Sequence, residues 1–537
     1  MTPRHARKLI GWALALLLGG CAAGARPQAV AEASTVTQLD AAARVHPVAF
    51  LDRIGWGPDP AQLRQLQQVG ATRLLEAQLQ PDRHPALPIS VAQSLAALPV
   101  NAPLVDWIPP LVAQRREIRL ARGEAGAEDA GAAQARLKAL QQHMNALTRQ
   151  AMAQQLLLAV YGPNQLQQRL TWFWMNHFNV FRGFVIGPML ADYAQQVIAP
   201  NALGHFRDLL QATMFSPQML LYLNNAQNAR GHINENYARE VMELHTLGIG
   251  AGYTQADVTN LAHVLTGLGV DLLNRPVRVR PALRDRVWRK GLVVFNPARH
   301  DPAPEIVLGH TLQGRGVGEI EQVVTLLADD PATARHVSFE LAQYFVSDHP
   351  DPAMVAAMVR TWRHTDGDIA AVLRTMYTSP QFVASLARPQ FKDPTRYVIS
   401  AVRASFDGRV IDNPVPILGM LAGLGEPLDG RTTPDGYPLD GDAWNSPGQL
   451  TTRFRIAQQL GSGAPALFAP PPPGLDSAAG AEPMLAPRRP PPELSRSAVF
   501  LAAESSLSRT TLQVLARAGS RVRWNALWLA SPEFMSQ

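Results

Sequence analysis

The residues best able to do chemistry in this 537-residue chain crowd into one stretch, Asn234 to Leu247, which reads NENYAREVMELHTL. Glu240 and Glu243 are of the type that serves as general base, Arg239 could steady a developing negative charge, and His245 could offer a metal ion a ring nitrogen. At about 100° per residue, Glu235, Asn236, Arg239, Glu240 and Glu243 share one arc of a helix, while Tyr237, Ala238, Val241, Met242, Leu244 and His245 fill the other. Two readings of that division stay open. In one, a Glu235/Arg239/Glu243 ladder at i, i+4 faces water and His245 sits in the core. In the other, Arg239 bridges the two carboxylates inside the protein as part of a site. Glu243 and His245 are two positions apart and point in nearly opposite directions, so they cannot both ligate one ion. Cys21 is the sole cysteine. Disulfides, thiol catalysis and thiolate metal sites therefore drop out, and any metal must be held by His, Asp or Glu. No P-loop, dinucleotide fingerprint or Gly-x-Ser-x-Gly elbow supports ATP, NAD or serine-hydrolase chemistry.

The elements around this stretch predict location and fold. Arg4, Arg7 and Lys8 precede an apolar run from Leu9 to Leu18, too short to span a bilayer and shaped like a secretory signal. Its end, Leu18-Gly19-Gly20-Cys21, resembles the lipobox of bacterial lipoproteins, which implies a signal peptide over 1–20, acylation of Cys21, and a membrane anchor on the periplasmic face of the envelope, at the outer membrane. The formal charge of +6 falls to +3 once the three cations of residues 1–20 are removed, and only four of the 49 basic residues are Lys. Nucleic-acid binding is not indicated. A polar tether over 21–45 leads into a long series of helix starts and stops, such as Asp59-Pro60 with Gly70 as the stop, Thr254 with Asp257 three residues on, and Asp330-Pro331. Residues 111–158 predict a helical hairpin broken near Gly123–Gly131. Between 270 and 312 the helical pattern lapses, and RPVRVRP, GLVVFNP and EIVLGHTL read as short strands or an extended loop. Residues 461–494, with APPPPG and RRPPP, read as a surface loop. The expected fold is mainly α: one large multi-helix domain over 46–460, a short irregular or β-containing insertion around 270–312, the Pro-rich loop, and C-terminal helices over 495–537 packing back on the main domain.

The stretch NENYAREVMELHTLGIGAGYTQADV followed by LAHVLTG resembles the central signature of the bacterial family known as domain of unknown function 1800. Collinear stretches agree: RIGWGPDP at 53–60, WFWMNHFNVF at 172–181, His300-Asp301 after VVFNP, DDPATARHVSFELAQYFVSDHP at 329–350, KDPTRYVISAVRA at 392–404, GYP at 436–438 with Trp444, and LASPEFM at 529–535. The resemblance covers residues 46 to 537. It implies a large, mostly helical, exported bacterial protein without an assigned reaction. A partner is implied too, because genes of the family often neighbour those of domain of unknown function 1501, which resembles the sulfatase and alkaline phosphatase class. Two positions depart from the pattern: His263 stands where Arg is usual, and Leu268 where Trp is usual.

On these residues the expected site is a divalent transition metal, Zn, Mn or Fe, held by His177, His245, His300 and Asp301 from three separate elements. Glu240 or Glu243 would lie just outside the ligands or serve as general base. The expected function is a metal-dependent envelope enzyme, hydrolase or oxidoreductase. The alternative is a scaffold or accessory subunit for the sulfatase-like partner.

Overall fold

Helix punctuation carries the fold. Seven helices begin with Asp or Ser as N-cap and Pro directly after it: Asp59-Pro60, Ser216-Pro217, Asp330-Pro331, Asp351-Pro352, Ser379-Pro380, Asp393-Pro394 and Ser446-Pro447. In each, the cap side chain accepts a backbone N–H that has no partner within the helix, and the Pro occupies a position whose missing N–H costs nothing. The starts of these seven helices are thus encoded locally in the sequence. The structure is a computed structural model and describes residues 37–83, 85–124, 127–183, 185–406, 408–470 and 490–537. The expected signal peptide, Cys21, the first part of the tether and the middle of the Pro-rich segment lie outside the described residues.

The chain is mainly helical, as expected, with a small β-containing segment. The hairpin expected over 111–158 is the pair Leu104–Glu124 and Ala127–Tyr161. Four helices position the residues singled out above: α1 (Gln165–His177), α2 (Asn236–Glu243), α3 (Gln255–Val264) and α4 (Pro331–Phe345). Helix α3 opens on a capping box in which Thr254 and Asp257 satisfy each other's backbone N–H. The segment that loses helical pattern forms β1 (Leu268–Val270), β2 (Trp288–Lys290), β3 (Val293–Phe295), β4 (Glu305–Val307) and β5 (His310–Leu312). Strand β3 lies between β1 and β2, antiparallel to both, and β4 pairs with β5. Leu268 pairs with Phe295 in the β1–β3 register, and both side chains are buried.

One apolar core runs from Leu39 to Met535, so the beginning and end of the described chain pack together. The edges of the Pro-rich segment join it: Leu467, Phe468 and Leu494 are buried, with Phe468 edge-on to Phe406 at 5.3 Å. The expectation of a surface loop across 461–494 does not hold for its flanks, because Leu467, Phe468 and Leu494 carry enough apolar area to hold them against the body.

Buried cations brace this core. Lys392 meets Asp52 at 3.0 Å, Arg396 meets Asp393 at 2.6 Å, and Arg403 meets Asp59 at 2.7 Å. Arg169 in the middle of α1 reaches the backbone oxygens of Asp52 and Gly55, while its guanidinium stacks over Tyr344 and Phe345 of α4 at 4.9 and 5.0 Å. Further along α1, Trp172 and Phe173 each meet the Tyr344 ring at 5.5 Å, which holds the C-terminal half of α1 against α4 and places His177 within reach of α4's side chains. No helix among the described residues is long and apolar enough to cross a membrane.

Candidate metal centre

His177 ends α1 on its buried face. Phe173, one turn earlier, lies nearly parallel to its ring at 6.2 Å, and Phe178 meets it edge-on at 4.6 Å. The ring is therefore held on both sides, and its side chain is only 3 % exposed. Its two nitrogens find different partners. Nε2 lies 3.1 Å from the backbone oxygen of His245, and Nδ1 lies 2.7 Å from Glu340 Oε2. A carbonyl can only accept, so Nε2 carries hydrogen, and in the neutral tautomer Nδ1 then presents a lone pair to a carboxylate. Two acceptors 2.7 Å apart need a cation between them. At hydrogen-bond length that cation is a proton; a metal ion with bonds of about 2.0–2.1 Å would need the two ligand atoms to open to about 3.3 Å at a tetrahedral angle.

The third member is His336, on the same face of α4 as Glu340 and one turn before it. Its Nε2 is 3.6 Å from Glu340 Oε1 and 3.2 Å from the backbone oxygen of Leu244. His177, His336 and Glu340 each bring a ligand atom within 4.8 Å of the others, and they are the one such group of metal-ligand type among the described residues. Burial pushes the Glu340 carboxyl upward, but His177 and His336 more than offset it and hold the group below the usual carboxylate range.

The carbonyls that face these rings come from an irregular end to α2. The apolar pattern predicts a helix through Leu247, but the helix ends at Glu243 and the chain widens into a turn in which His245 N bonds Glu240 O at 3.1 Å and Leu247 N bonds Met242 O at 3.0 Å. The wide turn leaves the Leu244 and His245 carbonyls free for His336 and His177. A helix C-terminus carries partial negative charge, so these oxygens favour N–H donors or a cation nearby. His245 itself is 1 % exposed, and its Nε2 has no hydrogen-bond partner among the described residues. Burial, then the neighbouring His177 and His336, push its pKa well below the usual histidine value, so it is neutral. It supplies the centre with its carbonyl, and its ring centroid lies 6.1 Å from that of His177.

The other residues singled out from the sequence fall into two further groups. Asn176 exchanges hydrogen bonds with Tyr437, at 3.0 and 2.6 Å, and Gly436 (φ +69°) packs so closely that a Cβ there would collide with the Asn176 backbone oxygen. This contact carries the loop 431–438 onto the end of α1. Glu240 is half-buried on the side of α2 that looks toward Asp435 of the same loop. Burial, then Glu243, push its pKa up, Arg239 partly offsets this, and Asp435 adds to it. Arg239 stands apart: it pairs with Glu235 at 3.1 Å and with Gln255 at 2.9 Å at a site more than a third exposed, and makes no bridge to Glu243. On that edge of the helix the solvated reading holds for the Glu235/Arg239 pair but not for a ladder through Glu243, and the facing α3 offers Gln255 and Thr259 rather than apolar cover.

His300 and Asp301, expected as ligands beside His177, are not brought into its group. His300 Nδ1 bonds the backbone oxygen of Thr266 at 3.0 Å, and its Nε2 faces the buried Glu319 at 3.9 Å. Asp301 pairs with His263 at 2.9 Å, and Glu305 lies 3.7 Å from the same ring nitrogen. The His-Asp dipeptide is thus spent in tying the β-segment to α3. The residues that sequence reasoning missed are His336 and Glu340. Their i, i+4 spacing on one helix was a visible signal.

The profile described as "Protein of unknown function (DUF1800)" matches residues 49–536. The chain belongs to this family. No curated protein and no solved structure matches it significantly. The stretches quoted from the family pattern, Asn176-His177, Glu240, Gly436-Tyr437 and the helix of His336 and Glu340, therefore come from distant parts of one family domain and meet at one corner of it.

Proposed function

We propose that this protein is a metal-dependent enzyme of the cell envelope, whose ion is held by His177 Nδ1, His336 Nε2 and a Glu340 oxygen. The observation that carries the proposal is the convergence of ligand atoms from His177, His336 and Glu340 within 4.8 Å of one another, with His177 Nε2 already committed to a carbonyl, the arrangement in which an outer hydrogen bond fixes which histidine nitrogen is free to ligate. Two imidazoles and one carboxylate form a donor set used by catalytic Zn, which leaves a position for water, and by non-haem Fe(II), which leaves positions for oxygen. Bound there, such an ion would polarise a substrate oxygen or lower the pKa of a water. Residues of the chain supply the rest. His245 orients the His177 ring through its carbonyl, and Glu240, whose affinity for a proton is raised by burial and by Glu243, is the group to accept a proton. That pairing favours hydrolysis over oxidation. His336 must exchange its contact with Leu244 O for the ion.

The same proposal keeps the protein exported and anchored through an acylated Cys21. A second reading has one observation in its favour: a proton between His177 and Glu340 satisfies the 2.7 Å contact as it stands. The protein would then be a scaffold or accessory subunit, with an exported sulfatase-like protein of the domain of unknown function 1501 family as its partner. Elemental analysis separates the two. After purification with Zn, Mn and Fe supplied, one ion per chain is expected, lost in His336→Ala; no ion in the wild type leaves only the second reading.

A further inference from the structure

The segment between residues 271 and 299 carries eight cations (Arg275, Arg278, Arg280, Arg284, Arg286, Arg289, Lys290, Arg299) against two carboxylates, Asp271 and Asp285. The whole chain has a formal charge of only +6, so this short stretch holds as much net positive charge as the entire protein. Its arginines are not consumed by internal pairing. Asp271 is taken by Arg289 at 3.2 Å, with Arg275 further off at 3.9 Å. Arg278, Arg280, Arg284, Arg286 and Lys290 are exposed, and their side chains have no hydrogen-bond or ion-pair partner among the described residues. Arg275 and Arg280 each precede a proline, which keeps the backbone there extended. Burial alternates along the stretch, with Val277 and Val279 turned toward the body and Arg278 and Arg280 outward, so these two guanidinium groups leave the same side of the chain about 7 Å apart.

The patch borders a cleft. Arg275, Arg278 and Arg299, together with Asn296 and Asp271, line a space of about 660 Å³ beside β1 and β3. We infer that this cleft is a binding site for a linear acidic polysaccharide whose carboxylate or sulfate groups are taken by Arg278 and Arg299. Guanidinium forks match both oxyanions, and the Asn296 amide suits a hydroxyl beside them. The shape and composition favour this occupant over other polyanions. A bilayer is flat and cannot enter a concave cleft, and none of the large exposed apolar side chains lies within 271–299 to insert into one. Single-stranded nucleic acid needs stacking surfaces, whereas the segment's Trp288 is half-buried and engaged edge-on with Phe215 at 5.5 Å.

The test is direct titration of the full chain with a hexamer of galacturonic acid, a sulfated oligosaccharide of equal length, a neutral glucose hexamer, a short DNA, and phosphatidylglycerol vesicles. Binding of at least one acidic oligosaccharide is expected, weakening as salt rises, with no binding of the neutral one; which acid binds distinguishes carboxylate from sulfate recognition. Arg278→Ala and Arg299→Ala should each weaken it about tenfold, the worth of one charge-assisted hydrogen bond. Arg509→Ala, exposed near the other end of the chain, should not. Should Arg299→Ala fail to fold, Arg278→Glu replaces it, because Arg278 is exposed and has no internal partner. Failure of both acidic oligosaccharides to bind, or tighter binding of DNA or vesicles than of either, overturns the inference.

Discussion

Replacing Glu340 by Gln probes the cation shared with His177 most cleanly, because the amide keeps the carboxylate's shape and can donate to Nδ1. If only a proton lies between the two groups, the variant exchanges a charge-assisted hydrogen bond for a neutral one, a loss of about 1 kcal/mol. Glu340 is 23 % exposed at its side chain and His177 3 %, so even complete removal of the pair, as in Glu340→Ala, should cost about 2–3 kcal/mol, between the values for surface and fully buried pairs. If a metal is bound, a further contribution appears that depends on the ion: about 2.7 kcal/mol when the free metal is at one hundred times its dissociation constant. The assay is a thermal melt of wild type and Glu340→Gln, each with the metal supplied and with a chelator, where 1 kcal/mol in a chain this long corresponds to roughly 1–2 °C. With chelator the two proteins should melt about 1–2 °C apart, and with metal only the wild type should gain, by roughly 3–5 °C. A wild type that melts identically in metal and chelator refutes the metal centre. A Glu340→Ala variant that melts like wild type in chelator refutes the pair itself.

Three further outcomes rest on the same geometry. Arg239→Ala should cost under about 1 kcal/mol in denaturant titration, because its Glu235 contact is exposed; a larger loss would mean that this face is covered. Lys392→Ala should cost roughly 3–5 kcal/mol, since it strands Asp52 at 4 % exposure with its partner gone, and a loss under about 1 kcal/mol would show that water reaches Asp52. His245 resists protonation when folded, so below the ordinary histidine pKa the unfolded chain binds a proton that the folded chain does not; stability should fall as pH drops from about 6.5 toward 5, by at most about 1.4 kcal/mol per pH unit for this group. His245→Gln should flatten that part of the pH–melting profile, and an unchanged slope would assign the acid sensitivity elsewhere.

What was legible in the chain was whatever is encoded within a few residues. Asp-Pro and Ser-Pro helix starts, the Thr254/Asp257 capping box and the loss of helical period after Leu268 are local signals, and the elements obey them. His177 was legible as a candidate ligand, but its partners were not, because they are set by how Arg169 clamps α1 over Tyr344 and Phe345 of α4. Grouping histidines by their order in the chain joins His177 to His300 and Asp301. Packing instead gives His300 to Thr266 and Asp301 to His263, and gives His177 to α4. The end of α2 shows why periodicity could not have corrected this. Leu244, His245 and Leu247 continue the apolar stripe of the preceding turns, so a sequence pattern reads straight through the point where hydrogen bonding changes from i−4 to i−5. That single extra residue per turn frees the Leu244 and His245 carbonyls, and those carbonyls select which nitrogen of His177 keeps its hydrogen and turn His336 toward Glu340. The feature of the central helix that shapes the His177 corner is therefore its irregular end and not its ionic face: Arg239 and Glu235 belong to solvent, while the backbone after Glu243 turns the His245 carbonyl to His177 and the Leu244 carbonyl to His336.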